Sequence, residues 1–179
     1  MTPRERKLLI VLASIFGGLF LLSRIVMEST PKPSDRELFL SFYRDVLQKS
    51  AAIDETYRPF GEAMEKKDMF EATVAGKRIK TQLDTHWYEF AKLTVPTLNN
   101  EKAKKALKDG KELLDAGYYN KIGVVASYLE FTKEPSSLLL KAAEMKDNAE
   151  KYQARLIMGL ASIMGAGSEL GIKPEELPQ

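Results

Sequence analysis

The chain has 179 residues with 27 basic and 25 acidic side chains, a formal net charge of +2 and no cysteine. The missing cysteines exclude a disulfide scaffold, cysteine-based metal sites and thiol catalysis. Residues 1–27 hold four of the basic side chains and one of the acidic, which leaves the remainder at about −1 and removes the electrostatic basis for a nucleic-acid role.

Leu8 to Met27, LLIVLASIFGGLFLLSRIVM, carries no charge before Arg24, and 13 of its 20 residues are Leu, Ile, Phe or Val. A helix of that length rises about 30 Å, the thickness of a hydrocarbon core. Arg24 lies near the end, where its side chain can reach the interface. Arg4, Arg6 and Lys7 precede the run and Glu28 follows it, so the positive-inside rule puts the N-terminus in the cytoplasm and the bulk of the chain outside. The expected address is a bacterial inner membrane, crossed once, with the lipid bilayer as a first partner. A cleaved signal peptide is the rival reading, but Leu22, Ser23, Arg24 and Ile25 make no small-x-small cleavage site, and a retained anchor is expected. Ala13 with Gly17 and Ser14 with Gly18 form two overlapping small-xxx-small pairs. Small residues are common in any span, and such pairs also let a partner helix approach closely.

The opening PRERKLL before a Leu-rich span resembles the start of inner-membrane assembly proteins of type II secretion systems. That class implies a small α/β domain after the span. No alternating strand pattern follows here, so the family's function is not carried over.

After the linker ESTPKP (28–33), Ser34 stands three residues before Glu37, a capping-box pattern that opens a first helix. Its apolar positions, Phe39, Tyr43, Val46, Ile53, Tyr57, Phe60 and Met64, alternate in spacings of four and three, with Ser50 the one polar member. That is the seam of a helix among near-parallel neighbours. Pro59 removes a backbone donor, and the expectation is a break there, with Pro59 in the first turn of a second helix that runs to Leu93. Asn99 or Asn100 caps a third helix to about Thr132, striped by Ala103, Leu107, Leu114, Tyr118, Ile122, Val125 and Leu129. A fourth begins at Ser136 or Ser137 and has the most regular stripe, from Leu138 through Met145, Tyr152, Leu156 and Ile163 to Leu170, which marks it as the central packing helix. Gly171, Ile172 and Pro174 stop it in the Schellman manner, and the tail from Lys173 is expected to fray. The second, third and fourth helices each come to about 33 residues, and short turns between such lengths mean an up-down antiparallel bundle.

Candidates for chemistry are few. His86 is the single histidine, and no Cys or second His stands ready to complete a zinc site with it. A ligand pocket between the second and third helices would draw on Trp87, Tyr88, Tyr118, Tyr119 and Tyr128, with His86 beside Trp87, although aromatics at helical spacing are more often core. Lys102, Lys104, Lys105, Lys108 and Lys111 are interleaved with acids and read as a solvated face. Leu156 to Gly167, LIMGLASIMGAG, is apolar nearly all round, so it is either buried on all sides or docks onto something. Gly159, Ala161, Gly165 and Ala166 would make its smooth face for a partner helix. No phosphate loop, dinucleotide fingerprint, nucleophile elbow, metalloprotease motif or calcium loop is present.

The expected protein is therefore all-α. Residues 1–27 form a basic flank and transmembrane signal anchor, 28–33 a linker, 34–172 an extracytoplasmic up-down bundle of four helices, and 173–179 a flexible tail. No cofactor, metal or catalytic residue is expected, and no enzyme activity. The expected work is that of a scaffold or accessory subunit in an envelope complex, joined to membrane or periplasmic proteins or to further copies of itself. The alternative is a periplasmic small-ligand sensor with a pocket between the helices.

Overall fold

The breaks before the second and third helices are set by local devices at Lys67–Asp68 and Asn99–Asn100. In the computed structural model, which describes residues 32–133 and 138–178, helix α1 spans Asp35–Glu65, α2 Met69–Ala91, α3 Glu101–Phe131 and α4 Leu138–Glu169. A 3₁₀ turn at Pro174–Glu176 follows, and no strand occurs among the described residues. The expected span, with its Ala13, Ser14, Gly17 and Gly18, and the expected start of the fourth helix at Ser136 or Ser137 lie outside the described residues. No described helix is long and apolar enough to cross a membrane.

Pro59 does not end α1. It lies inside the helix, and the chain turns later, at Lys67, which takes a positive φ of 58°. Asp68 then caps α2, its carboxylate accepting the Glu71 N–H at 2.9 Å. The proline is tolerated because its missing donor concerns the Glu55 carbonyl on an exposed turn, where water can take the bond, while Phe60 on the next position is fully buried. The consequence is a longer α1 (31 residues) and a shorter α2 (23 residues) than the sequence predicts.

Asn100 caps α3, its side-chain oxygen accepting the Ala103 N–H at 3.0 Å. At the same end the Asp35 carboxylate accepts the backbone N–H groups of Asn99 and Asn100, which ties the start of α1 to the start of α3. Gly171, with φ 69°, closes α4: Ile172 N–H bonds to the Gly167 carbonyl and Gly171 N–H to that of Ser168, each at 3.0 Å. These are the paired bonds of a Schellman ending. The tail expected to fray turns back instead, and Arg36 on α1 meets Glu176 at 2.6 Å.

Consecutive helices run antiparallel, as side-chain contacts show. Phe60 and Lys49 of α1 meet Gly76 and Glu89 of α2, Met69 and Trp87 of α2 meet Tyr128 and Asp115 of α3, and Gly110 and Asn120 of α3 meet Gly159 and Asn148 of α4. Asp35–Gln179 form one compact unit. Its core holds Phe39, Val46, Ile53 and Phe60 of α1, Leu83 and Phe90 of α2, and Leu107, Leu114, Val125 and Tyr128 of α3, all fully buried. Each such side chain contributes roughly 1.5–3 kcal/mol.

The central helix is α3, not α4. Thirteen residues of α3 are buried, and it packs against both α2 and α4. Among the described side chains of α4 the only large one fully buried is Ile163, and Met145, Ala149, Tyr152 and Leu156 are half-buried. A regular stripe records which side of a helix faces its neighbours. Depth depends on how many neighbours there are, and α4 leans mainly on α3, with a lighter approach to α1.

Candidate functional site

Three groups of residues stand out from an otherwise ordinary core. The first is a buried cation. Lys121 lies on the inward face of α3, between Tyr118 and Val125, and is only 7% exposed. Its ammonium pairs with the Asp54 carboxylate of α1. It also lies 4.5 Å from the ring centroid of Tyr57 on α1 and 5.5 Å from that of Tyr152 on α4. An unpaired charge at such a depth costs several kcal/mol, and the carboxylate with two ring faces offsets that cost. The cluster thereby joins three helices. Burial pushes the Tyr57 phenol far above the usual tyrosine range, with Tyr152 adding to it. Burial does the same to Tyr118, helped by the Asp54 charge. Both phenols stay protonated at neutral pH. This is the chemistry of a structural tie.

The second group is the expected pocket, of whose residues the fold brings Trp87 and Tyr119 together and leaves His86, Tyr118 and Tyr128 apart from them. Trp87 donates its indole N–H to Asp115 at 2.8 Å and lies 5.3 Å from the ring of Tyr119. Lys111 completes that contact, donating to Asp115 at 3.3 Å and to the Ala91 carbonyl at 2.7 Å. A shallow, open depression of about 250 Å³ lies over Trp87, Asp115 and Tyr119. Tyr118, one position away and so turned about 100° around the helix, is buried edge-on against Phe90. Tyr128 is fully buried, with its ring against Phe60 and its hydroxyl donating to the Met69 carbonyl at 2.8 Å. His86 faces a different depression, among Gln48, Lys49, Ala52 and Glu89. No group of three or more metal-ligating side chains occurs among the described residues.

The third group is on α4. Gly159 and Ala166, two of the four residues expected to meet a partner, face inward. A Cβ at Gly159 would lie 2.9 Å from the Gly110 carbonyl oxygen and 2.8 Å from Leu114 Cγ, and one at Gly110 would lie 2.8 Å from the Gly159 oxygen. The two glycines are thus the point where α3 and α4 cross backbone to backbone. Ala166 is fully buried. Ala161 and Gly165 face outward, and nothing lies within 4 Å of where a Gly165 Cβ would be. Beside them Ile157 is 70% exposed, Met158 57% and Met164 45%. The all-round apolar segment is therefore two-faced: one side is the α3 crossing, and the other is an apolar strip open to solvent. Its segment was visible in the sequence, whereas the Asp54–Lys121 pair was not. The one available signal for that pair was a lysine on an apolar stripe.

No protein-family model, curated protein or solved structure matches this chain. The argument for function accordingly rests on its own residues.

Proposed function

We propose that the chain is a single-pass inner-membrane protein whose extracytoplasmic bundle serves as a scaffold or accessory subunit of a larger envelope assembly. The support for the address is the uncharged run from Leu8 with Arg4, Arg6 and Lys7 before it. The observation that carries the role is the α4 strip: Ile157, Met158 and Met164 stand in water on a helix that already has an inward face to bury. Exposed apolar patches of that kind mark contact sites on folded proteins. The small-ligand alternative has narrower support, the open depression over Trp87 and Tyr119, since Tyr118 and Tyr128 are buried in the core and His86 faces another depression.

Purification of the native protein in mild detergent tests the proposal. It should bring down a protein partner, another chain or a further copy, in fixed stoichiometry. A lone monomer whose melting temperature rises with a small metabolite would sink it in favour of the sensor reading.

A further inference from the structure

The α4 strip is bounded on both sides. Its exposed members run from Ala154 to Ser168, with Lys151 and Glu169 just beyond the two ends. Ala154, Ala161 and Ser168 recur every seven residues and form its midline, with Met158 and Gly165 along one edge and Ile157 and Met164 along the other. The midline is small throughout, so a second helix can approach closely there.

We infer that a second copy of this chain covers the strip, with the two α4 helices antiparallel about a two-fold axis at Ala161. This rests on the reading of the chain as a protein that works by protein contact, and it names the partner. In that register Ala161 meets Ala161, Ala154 meets Ser168, and Met158 of each copy fills the open space over Gly165 of the other. Ile157 packs beside Met164 on the opposite edge. Lys151 of each copy, which pairs with Asp147 on its own helix at 2.6 Å and is half exposed, comes alongside Glu169 of the other, twice by symmetry. A parallel pairing would put the two copies of Lys151, and the two copies of Glu169, on opposite edges of the contact, so that neither charge meets its opposite. A contact made by one helix face with its polar rims belongs to the small class of protein interfaces. The contact is isologous, so it closes at two copies.

The absence of cysteine permits a direct test in the full chain, held in mild detergent or in native membranes. Under mild oxidation Ala161→Cys should form a covalent dimer, because the axis brings the two positions within disulfide reach. Ile157→Cys alone should not, since its two copies would lie about 12 Å apart along the helices. Adding Met164→Glu to Ala161→Cys should lower the yield at least about tenfold, with the circular dichroism of the bundle unchanged. Cross-linking of both single variants would overturn the antiparallel register. Cross-linking of neither would overturn the second copy as occupant. In that second case, loss of a different co-purifying protein on Met164→Glu would leave the scaffold reading standing, and no loss would remove both.

Discussion

The Asp54–Lys121 pair is an asymmetric contact, and its two halves should respond differently to removal. Asp54 is half in solvent, with 51% of its side chain exposed, whereas the Lys121 side chain is 9% exposed. Asp54→Ala leaves a cation among Tyr57, Tyr152 and the core with no counter-ion, and a cost of about 1–2 kcal/mol is expected after solvent relief on the open side. Lys121→Met keeps the length of the side chain and removes the charge, so it should be neutral or mildly stabilising. Urea denaturation of the two variants checks this, and equal destabilisation by both would show that the charge itself contributes. Asp35 supplies a pH-dependent counterpart. Backbone N–H groups of Asn99 and Asn100 hold its carboxyl below the usual range. A depressed carboxylate contributes stability that is present above its unfolded-state pKa and is lost as pH falls through the folded one. The melting-temperature gap between the native chain and Asp35→Asn should therefore be full near pH 6 and close on acidification below about pH 4. A gap that stays constant to that pH would mean that the bonds at Asn99 and Asn100 do not depend on the charge.

At the scale of elements, the α3–α4 crossing makes the sharpest prediction. Gly159→Ala places a methyl 2.9 Å from a backbone oxygen that cannot move aside, and about 2 kcal/mol of destabilisation is expected. Gly165→Ala meets nothing within 4 Å and replaces a glycine inside a helix, so in dilute samples it should stabilise by about 0.5–1 kcal/mol. Thermal unfolding of the two variants reads the difference, and a similar loss in both would place Gly165 in a packed contact. The sequence distinguished these glycines poorly, because both lie in one apolar segment and their opposite directions depend on the phase set by Ile163 and Ala166. The inward seams of α1, α2 and α3 were legible residue by residue, since a spacing of three and four leaves a single face to bury. The end of α1 was not. Pro59 is the stronger textual signal, yet the turn falls at Lys67, a residue type that rarely marks a positive φ. Asp68 with Glu71 three residues on was the better clue, a capping pattern at the true start of α2. The depth of α4 was also hidden, since regularity of a stripe is a property of one helix and burial is a property of several. For the same reason the pocket candidates scattered: Tyr118 and Tyr119 differ by one position, and only their neighbours decide which of them meets Trp87.

For the whole molecule, the proposed anchor and the described bundle separate into two testable parts. Asp35–Gln179 bury their own core, from Phe39 on α1 to Ile163 on α4, with capping at Asp68, Asn100 and Gly171. That core is assembled from residues of one compact unit, and a chain that starts at Ser34 should keep its helical circular dichroism and unfold in one cooperative transition without detergent. The Leu8–Met27 run has a different preference. Its Leu, Ile, Phe and Val residues each favour insertion by roughly 0.3–0.6 kcal/mol, against a cost for Arg24 that falls toward the end of a span. The full chain should therefore stay with the membrane fraction through washes in high salt and alkaline carbonate, and the shortened chain should be released to the supernatant. A protease added outside the inner membrane should then reach the lysines of the bundle and leave a small fragment that holds the N-terminus. Protection of the bundle in that experiment would reverse the orientation, and release of the full chain by carbonate would remove the span. Retention of the shortened chain would have another meaning: it would direct attention to the apolar strip of Ile157, Met158 and Met164 as a lipid-facing surface, and the second-copy contact would have to give way to it.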